Sequence, residues 1–227
     1  FTSSPAGNGT ALQTLGRRLA WFNNYTPQQS IGLYPTDGTT VDFAYGDLGV
    51  AGFIFELGTD FFQDCGSFEA TILPDNLESL RYAAKIARTP YLTPGGPDVI
   101  EVSLGGVTVV APGEPVTLSA RLDDSRFNQS NGSEPIQNIA EANAFLDAPP
   151  WQAGAVAIAM QPADGSFNAP QEWATVTVDT TGLSTGRHTL FAIGRAYGVS
   201  PWAIARANGL YNPNYIRAGQ CLVIPRW

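Results

Sequence analysis

The chain has 227 residues, 44% of them hydrophobic and 14% charged, which is apolar enough to bury a core and long enough for one to three domains. Twenty acidic against twelve basic residues leave a net charge of −8, which excludes a general nucleic-acid binder, whose phosphate contacts need a basic face. One histidine, His188, and two cysteines, Cys65 and Cys221, exclude a zinc site of two histidines and a carboxylate, or of paired CxxC motifs, built from this chain alone.

No apolar run approaches the roughly 18–20 residues of a membrane span, so no span is expected. Phe1 opens the sequence without a leader pattern, so any signal peptide is expected to have been removed or to lie outside it. A single lysine, Lys85, among many Thr, Ser, Asn and Gly points to an exported protein, secreted or wall-associated and bacterial in character. Charge divides the chain into three: residues 1–93 carry net −4, residues 94–185 net −9, and residues 186–227 net +5 from five arginines and no acid. Pro and Gly clusters at 90–97 and Thr180–Gly186 punctuate the two boundaries.

In the first segment Thr10 is placed to cap a helix that carries Leu12, Leu15, Leu19 and Phe22 on one face. Val50–Leu57 (VAGFIFEL) is an apolar run of strand length that ends in a carboxylate, and Leu77–Ala87 reads as a second helix entered through Pro74-Asp75-Asn76. A glutamate closing an apolar strand is a general-base candidate, because a low-dielectric wall raises its pKa towards neutrality. Glu56 also reads as the first polar residue after a buried strand.

Tyr25–Gln29 (YTPQQ), Leu33-Tyr34, Asp37–Thr40 (DGTT), Asp42, Ala44-Tyr45-Gly46 and Phe53–Leu57 (FIFEL), in that order, resemble the C-terminal part of the zinc carboxypeptidase family over about residues 10–92. Tyr34 and Glu56 stand 22 positions apart, as the family's mobile tyrosine and catalytic glutamate do. The resemblance implies a partial α/β catalytic fragment. In it Glu56 takes a proton from a zinc-bound water and passes it to the leaving amine. Tyr34 sits on a loop that closes over the substrate's C-terminal residue, and Val41 lines the base of a pocket for apolar C-terminal side chains. The family's zinc ligands, two His and one Glu, and its substrate-anchoring arginines lie upstream of the matched stretch. Zinc and peptide C-termini are therefore expected of the completed family enzyme, and no metal of this chain alone. A partner for Cys65 is expected in that upstream part, with Cys221 as the alternative.

The middle segment reads as all-β, with short runs at Ile100–Leu104, Val107–Val110, Val116–Ala120, Ala155–Met160 and Thr175–Val178 between Gly, Pro and Asp turns. A small sandwich closes such a pattern. Asp123–Asn128 with Asn131-Gly132 is a polar cluster that reads as a calcium site or as a hydrogen-bonded loop. Strand rhythm and Asp147-Ala148-Pro149-Pro150-Trp151 resemble the immunoglobulin-like modules appended to secreted bacterial peptidases, which implies a spacer.

The third segment holds two short helix candidates, Leu190–Tyr197 and Trp202–Asn208, and a strand at Leu222–Ile224. His188-Thr189-Leu190, Ile193, Tyr197–Ser200, Ile204-Ala205, Ala207–Leu210, Pro213-Asn214, Ile216, Ala218–Gln220 and Leu222–Pro225 resemble a LysM domain. That resemblance implies a small βααβ module which binds the N-acetylglucosamine backbone of peptidoglycan or chitin. Its groove would use Arg187, His188, Thr189 and Leu190 on one side and Asn212, Asn214, Tyr215 and Ile216 on the other. No first strand precedes His188. Thr189–Gly194 fits both modules, so either the sandwich loses its last strand or the LysM its first. The expected architecture is multidomain: a carboxypeptidase-like fragment, a β-sandwich spacer and a wall-binding module. Two functions compete, a piece of a secreted metallocarboxypeptidase with a wall anchor, and a non-catalytic glycan-binding protein with a degenerate peptidase remnant.

Overall fold

The structure, a computed structural model, describes residue 4 and residues 6–196. These divide into two compact units, one of residues 4–95 with 126–134 and one of residues 96–125 with 135–196.

The first unit is helical. Helix α1 spans Gly9–Asn23 and buries Leu15 and Leu19, the 3/4-spaced face of the sequence pattern. It starts two residues earlier than expected: Asn8 occupies the N-cap and Thr10 lies inside the first turn, where its carbonyl accepts from Thr14 Oγ1 at 3.2 Å. Asn24 ends the helix in the left-handed region at φ 55°, a conformation Asn adopts at little cost. Helix α2 (Thr40–Gly46) is set by a capping box, in which Thr39 accepts from the Asp42 amide while Asp42 accepts from the Thr39 amide. A short turn of helix α3 (Cys65–Ser67) and a π-helical turn (Phe68–Ile72) lead into α4 (Leu73–Ile86), which has Pro74 in its first turn. Tyr82 and Ile86 of α4 close on Leu15 and Leu19, with Phe22, Ala51 and Phe55 packed around them.

Residues 126–134 finish this unit. Arg18 is fully buried, donates to the Pro94 carbonyl at 3.0 Å and stacks 3.8 Å over the Phe127 ring. Asn128 Nδ2 donates to the carbonyls of Ala20 and Tyr25 and to Asn24 Oδ1. Arg17 pairs with Glu134 at 2.8 Å.

The second unit is two antiparallel sheets around one core. Strands β1 (Asp98–Ser103), β2 (Val116–Asp123), β5 (Gln161–Pro162) and β6 (Gln171–Val178) form one sheet in the order β1-β2-β6-β5. Strands β3 (Glu141–Leu146), β4 (Ile158–Ala159) and β7 (Leu190–Arg195) form the other in the order β4-β3-β7. Alternate residues Leu118, Ala120 and Leu122 of β2 and Ala174 of β6 meet Ala142 and Ala144 of β3 across the core. The chain switches sheets at Met160, which is buried between β4 and β5.

Three expected elements differ. Val50–Leu57 forms no strand: a run so apolar needs a neighbouring ladder, and the first unit contains no strand among the described residues. Val107–Val110 forms none either. It lies between left-handed Gly105 and Gly106 on one side and a turn closed by Glu114 N–H to the Ala111 carbonyl on the other. Instead it borders a cavity of about 640 Å³ that Val102, Leu118, Leu146 and Leu190 also line. Leu190–Arg195, expected as the start of a helix, is a strand, because β3 offers it a six-residue ladder. Trp202–Asn208 and Leu222–Ile224 lie outside the described residues.

Candidate functional site

Glu56 sits on an irregular extended segment whose two sides have different surroundings. Ala51 and Phe55 pack against α1 and α4, while Val50, Ile54 and Leu57 are 53–56% exposed. Glu56 is exposed with its neighbours and has no hydrogen-bond partner among the described residues. No buried apolar wall flanks the carboxylate on its side of the chain. The segment is pinned at both ends. Val41 of α2 stands so close over Gly52 that a Cβ there would come within 3.1 Å of Val41 Cγ1. Tyr25 accepts a hydrogen bond from the Gly58 amide at 2.9 Å and another from Asn76 Nδ2 at 3.0 Å.

Asn76 Oδ1 accepts in turn from Asn23 Nδ2 at 3.0 Å, and both asparagines are buried. Tyr25, Asn76 and Asn23 thus tie the Glu56 segment to α1 and α4. Sequence reasoning missed the last two, because an asparagine in a helix carries no sign of a partner about 50 residues away. Val41 and the Glu56 segment are brought together. Tyr34 is 57% exposed just beyond a 3₁₀ turn at Ser30–Gly32, and no hydrogen bond joins it to Glu56 among the described residues. Asp42 is committed to its capping box, where the Thr39 amide and hydroxyl hold its carboxyl below the usual range.

Both carboxylate oxygens of Asp123, Oδ2 of Asp124 and Oδ1 of Asn128 accept from N–H and O–H donors. Asp123 Oδ1 accepts from the Ser125 amide and hydroxyl, and Asp123 Oδ2 from Gln171. Asp124 Oδ2 accepts from the Gln137 amide, and Asn128 Oδ1 from that of Ser130.

At the other end of the chain His188 is held on both ring nitrogens. Nδ1 lies 2.6 Å from Asp147 Oδ2 and Nε2 lies 2.9 Å from the Ser184 carbonyl. The Asp147 carboxylate is the main cause of a His188 pKa above the ordinary value, with the Ser184 carbonyl adding to it; the same bond lowers that of Asp147. Asp147 reaches both partners from a left-handed turn at φ 58°, and its second oxygen accepts from the Thr189 amide at 2.8 Å. Leu190 packs on the sandwich core and Arg187 is exposed. Asn212, Asn214, Tyr215 and Ile216 lie outside the described residues.

This donor set does not fit the zinc that the carboxypeptidase resemblance implies. The single imidazole is already engaged on both nitrogens, and no group of three or more His, Cys, Asp or Glu could hold a metal among the described residues. Cys65 is a free, exposed thiol, and Cys221 lies outside the described residues. No helix among the described residues is long and apolar enough to cross a membrane.

Comparison with known proteins locates one domain. Residues 189–225 match the LysM domain family. The chain carries a LysM domain there, of a kind found in extracellular and cell-wall proteins, and this implies binding of glycans that contain N-acetylglucosamine. No curated protein and no solved structure matches the chain.

Proposed function

We propose that this protein binds the glycan of a cell wall, peptidoglycan or chitin, through its C-terminal LysM domain. The observation that carries the reading is the family match over residues 189–225. A neutral glycan is recognised by amides, hydroxyls and flat apolar surface, with little need of charge. Arg187, His188, Thr189 and Leu190 on one side and Asn212, Asn214, Tyr215 and Ile216 on the other supply those groups. The five arginines after residue 185 add attraction to anionic wall polymers, and salt screens that part. A pull-down on insoluble peptidoglycan at low and high salt separates the two contributions. We expect most binding to survive 1 M salt, where the Debye length is about 3 Å, and the Asn212→Ala/Asn214→Ala pair to weaken that surviving part. Binding that disappears in salt, or ignores the substitutions, would leave only a basic tail.

A second reading has one specific support. The first unit leaves Leu48, Val50, Ile54, Leu57, Phe61 and Phe62 more than half exposed, an apolar surface of the kind that one part of a larger core leaves bare. That agrees with residues 1–93 as the last part of a carboxypeptidase-like domain, with Glu56 as base, Tyr34 as lid and Val41 in the pocket, followed by an immunoglobulin-like spacer over 94–185. In that reading the zinc and its ligands belong to the upstream part.

A further inference from the structure

One end of the sandwich is left unfilled. β1 pairs with β2 only as far as Ser103 opposite Ser119, while β2 runs on to Val116 and pairs there on one side, with Val178 of β6. Two left-handed glycines, Gly105 at φ 64° and Gly106 at φ 82°, turn the chain away where β1 would have continued. Val116, Leu118 and Val178 of this sheet border a cavity of about 640 Å³, and Leu146 and Leu190 line it from the other sheet. Residues 104–112 and 180–186 supply the rest of its border.

The lining is graded from apolar to polar. Leu118 and Val178 are buried, Val116 and Leu146 are half-buried, and Ser103, Thr108, Ser184 and Thr185 are exposed. Among the described residues no Asp, Glu, Lys or Arg lines the cavity, and no Phe, Tyr or Trp. Its one titratable group, His188, has both ring nitrogens engaged by Asp147 and Ser184. Such a site has no counter-ion for a buried charge and no aromatic face on which a sugar or planar ring could stack. Its volume falls within the roughly 300–1,000 Å³ of small-molecule sites. An aliphatic void of this kind excludes water and gains contacts when apolar groups fill it. Val107 and Val109 on its border are 42% and 86% exposed, apolar surface that a ligand would take out of water.

We propose that this cavity binds an aliphatic acyl chain, with its methyl end against Leu118 and Val178 and its polar head in water beside Ser103, Ser184 and Thr185. The aliphatic interior selects a hydrocarbon chain, and the hydroxyl-bearing mouth leaves the head group solvated. The site stands apart from the glycan-binding reading and does not depend on it.

The test titrates octanoate, decanoate and dodecanoate, each below its micelle concentration, into the full chain by calorimetry. We expect affinity to rise about two- to fourfold with each added methylene. Val116→Phe on β2 and Ala111→Trp on the bordering loop fill the cavity from different elements, and each should weaken dodecanoate binding at least about tenfold. Ile54→Thr/Phe62→Ser, which removes exposed apolar surface from the first unit, should leave it unchanged. In the parent, dodecanoate should also slow amide exchange at residues 104–112 and 183–186. Cosedimentation with phosphatidylcholine vesicles that the filled variants lose would assign the chain to a bilayer lipid, and binding of the acids without cosedimentation would assign it to a free amphiphile. Absence of binding, or affinity independent of chain length, would overturn the proposal. So would binding that both filled variants keep and Ile54→Thr/Phe62→Ser loses. If neither filled variant folds, the exchange measurement on the parent decides, and unchanged exchange at both loops overturns the proposal.

Discussion

His188 shows how one residue can serve a different partner from the one its sequence neighbours suggest. The sequence pattern suggests a place for it beside a glycan groove, whereas in the structure its ring is bound by Asp147, 41 positions earlier, and by the Ser184 carbonyl. The pH dependence follows from the two shifts. The folded pKa of His188 is raised above 6.5, so its contribution is complete below that pH and is lost as pH rises through the folded value. That of Asp147 is lowered below 3.8, so its contribution is present above that pH and is lost as pH falls through the folded value. The clamp is therefore complete between these limits. The thermal midpoint of the parent should fall relative to that of His188→Ala as pH rises from 6 towards 9. Parallel curves over that range would show that the bond contributes nothing to folding.

At the scale of elements, the Val50–Leu57 run and β7 make opposite points. The run has a strand's composition without a strand's neighbour, so its outer residues remain in solvent. Ile54 in the run is 56% exposed, and Phe62, beyond its end, is 96% exposed. Ile54→Thr and Phe62→Ser should change stability by no more than about 0.5 kcal/mol, because neither side chain leaves a packed site. The same pair should reduce self-association, since apolar patches of this kind drive it. Chemical denaturation and light scattering read the two effects, and a loss of several kcal/mol would mean that these side chains are covered in the folded chain. β7 has the composition of a short helix and becomes a strand, because β3 has an open edge and Gly194 permits close approach to Leu122. Local periodicity of six residues fits both 2 and 3.6, and only the partner chooses.

For the whole molecule, the surroundings of Glu56 bear on the catalytic reading. General-base chemistry at Glu56 needs a polarised water and a closed, dry site, whereas the residue lies exposed on a surface segment. The 227-residue chain should purify without stoichiometric zinc and should release no C-terminal amino acid from peptides. Elemental analysis that finds one tightly held zinc per chain would contradict this. If the upstream part of the domain is supplied and activity appears, Glu56→Gln should abolish it; retained activity would remove Glu56 from the reaction.

The amphipathic face of α1, the helix α4, the Gly- and Pro-bounded strands β1, β2 and β6, the reversal of charge near residue 186 and the LysM pattern were all legible in the sequence, because each is a local signal in spacing or composition. β3 was not legible: Glu141-Ala142-Asn143-Ala144 are poor strand formers, and burial between β4 and β7 makes them a strand. The Tyr25–Asn76–Asn23 network and the seat of Arg18 under Phe127 were equally hidden, since each joins residues that only folding brings together. The sequence alone determined that residues 189–225 form a LysM pattern and that one imidazole cannot build a two-histidine zinc site. Tertiary structure alone decided that residues 190–195 are a sandwich strand and that Val50–Leu57 is not a strand, because a β-ladder exists only where a second backbone offers its N–H and C=O groups.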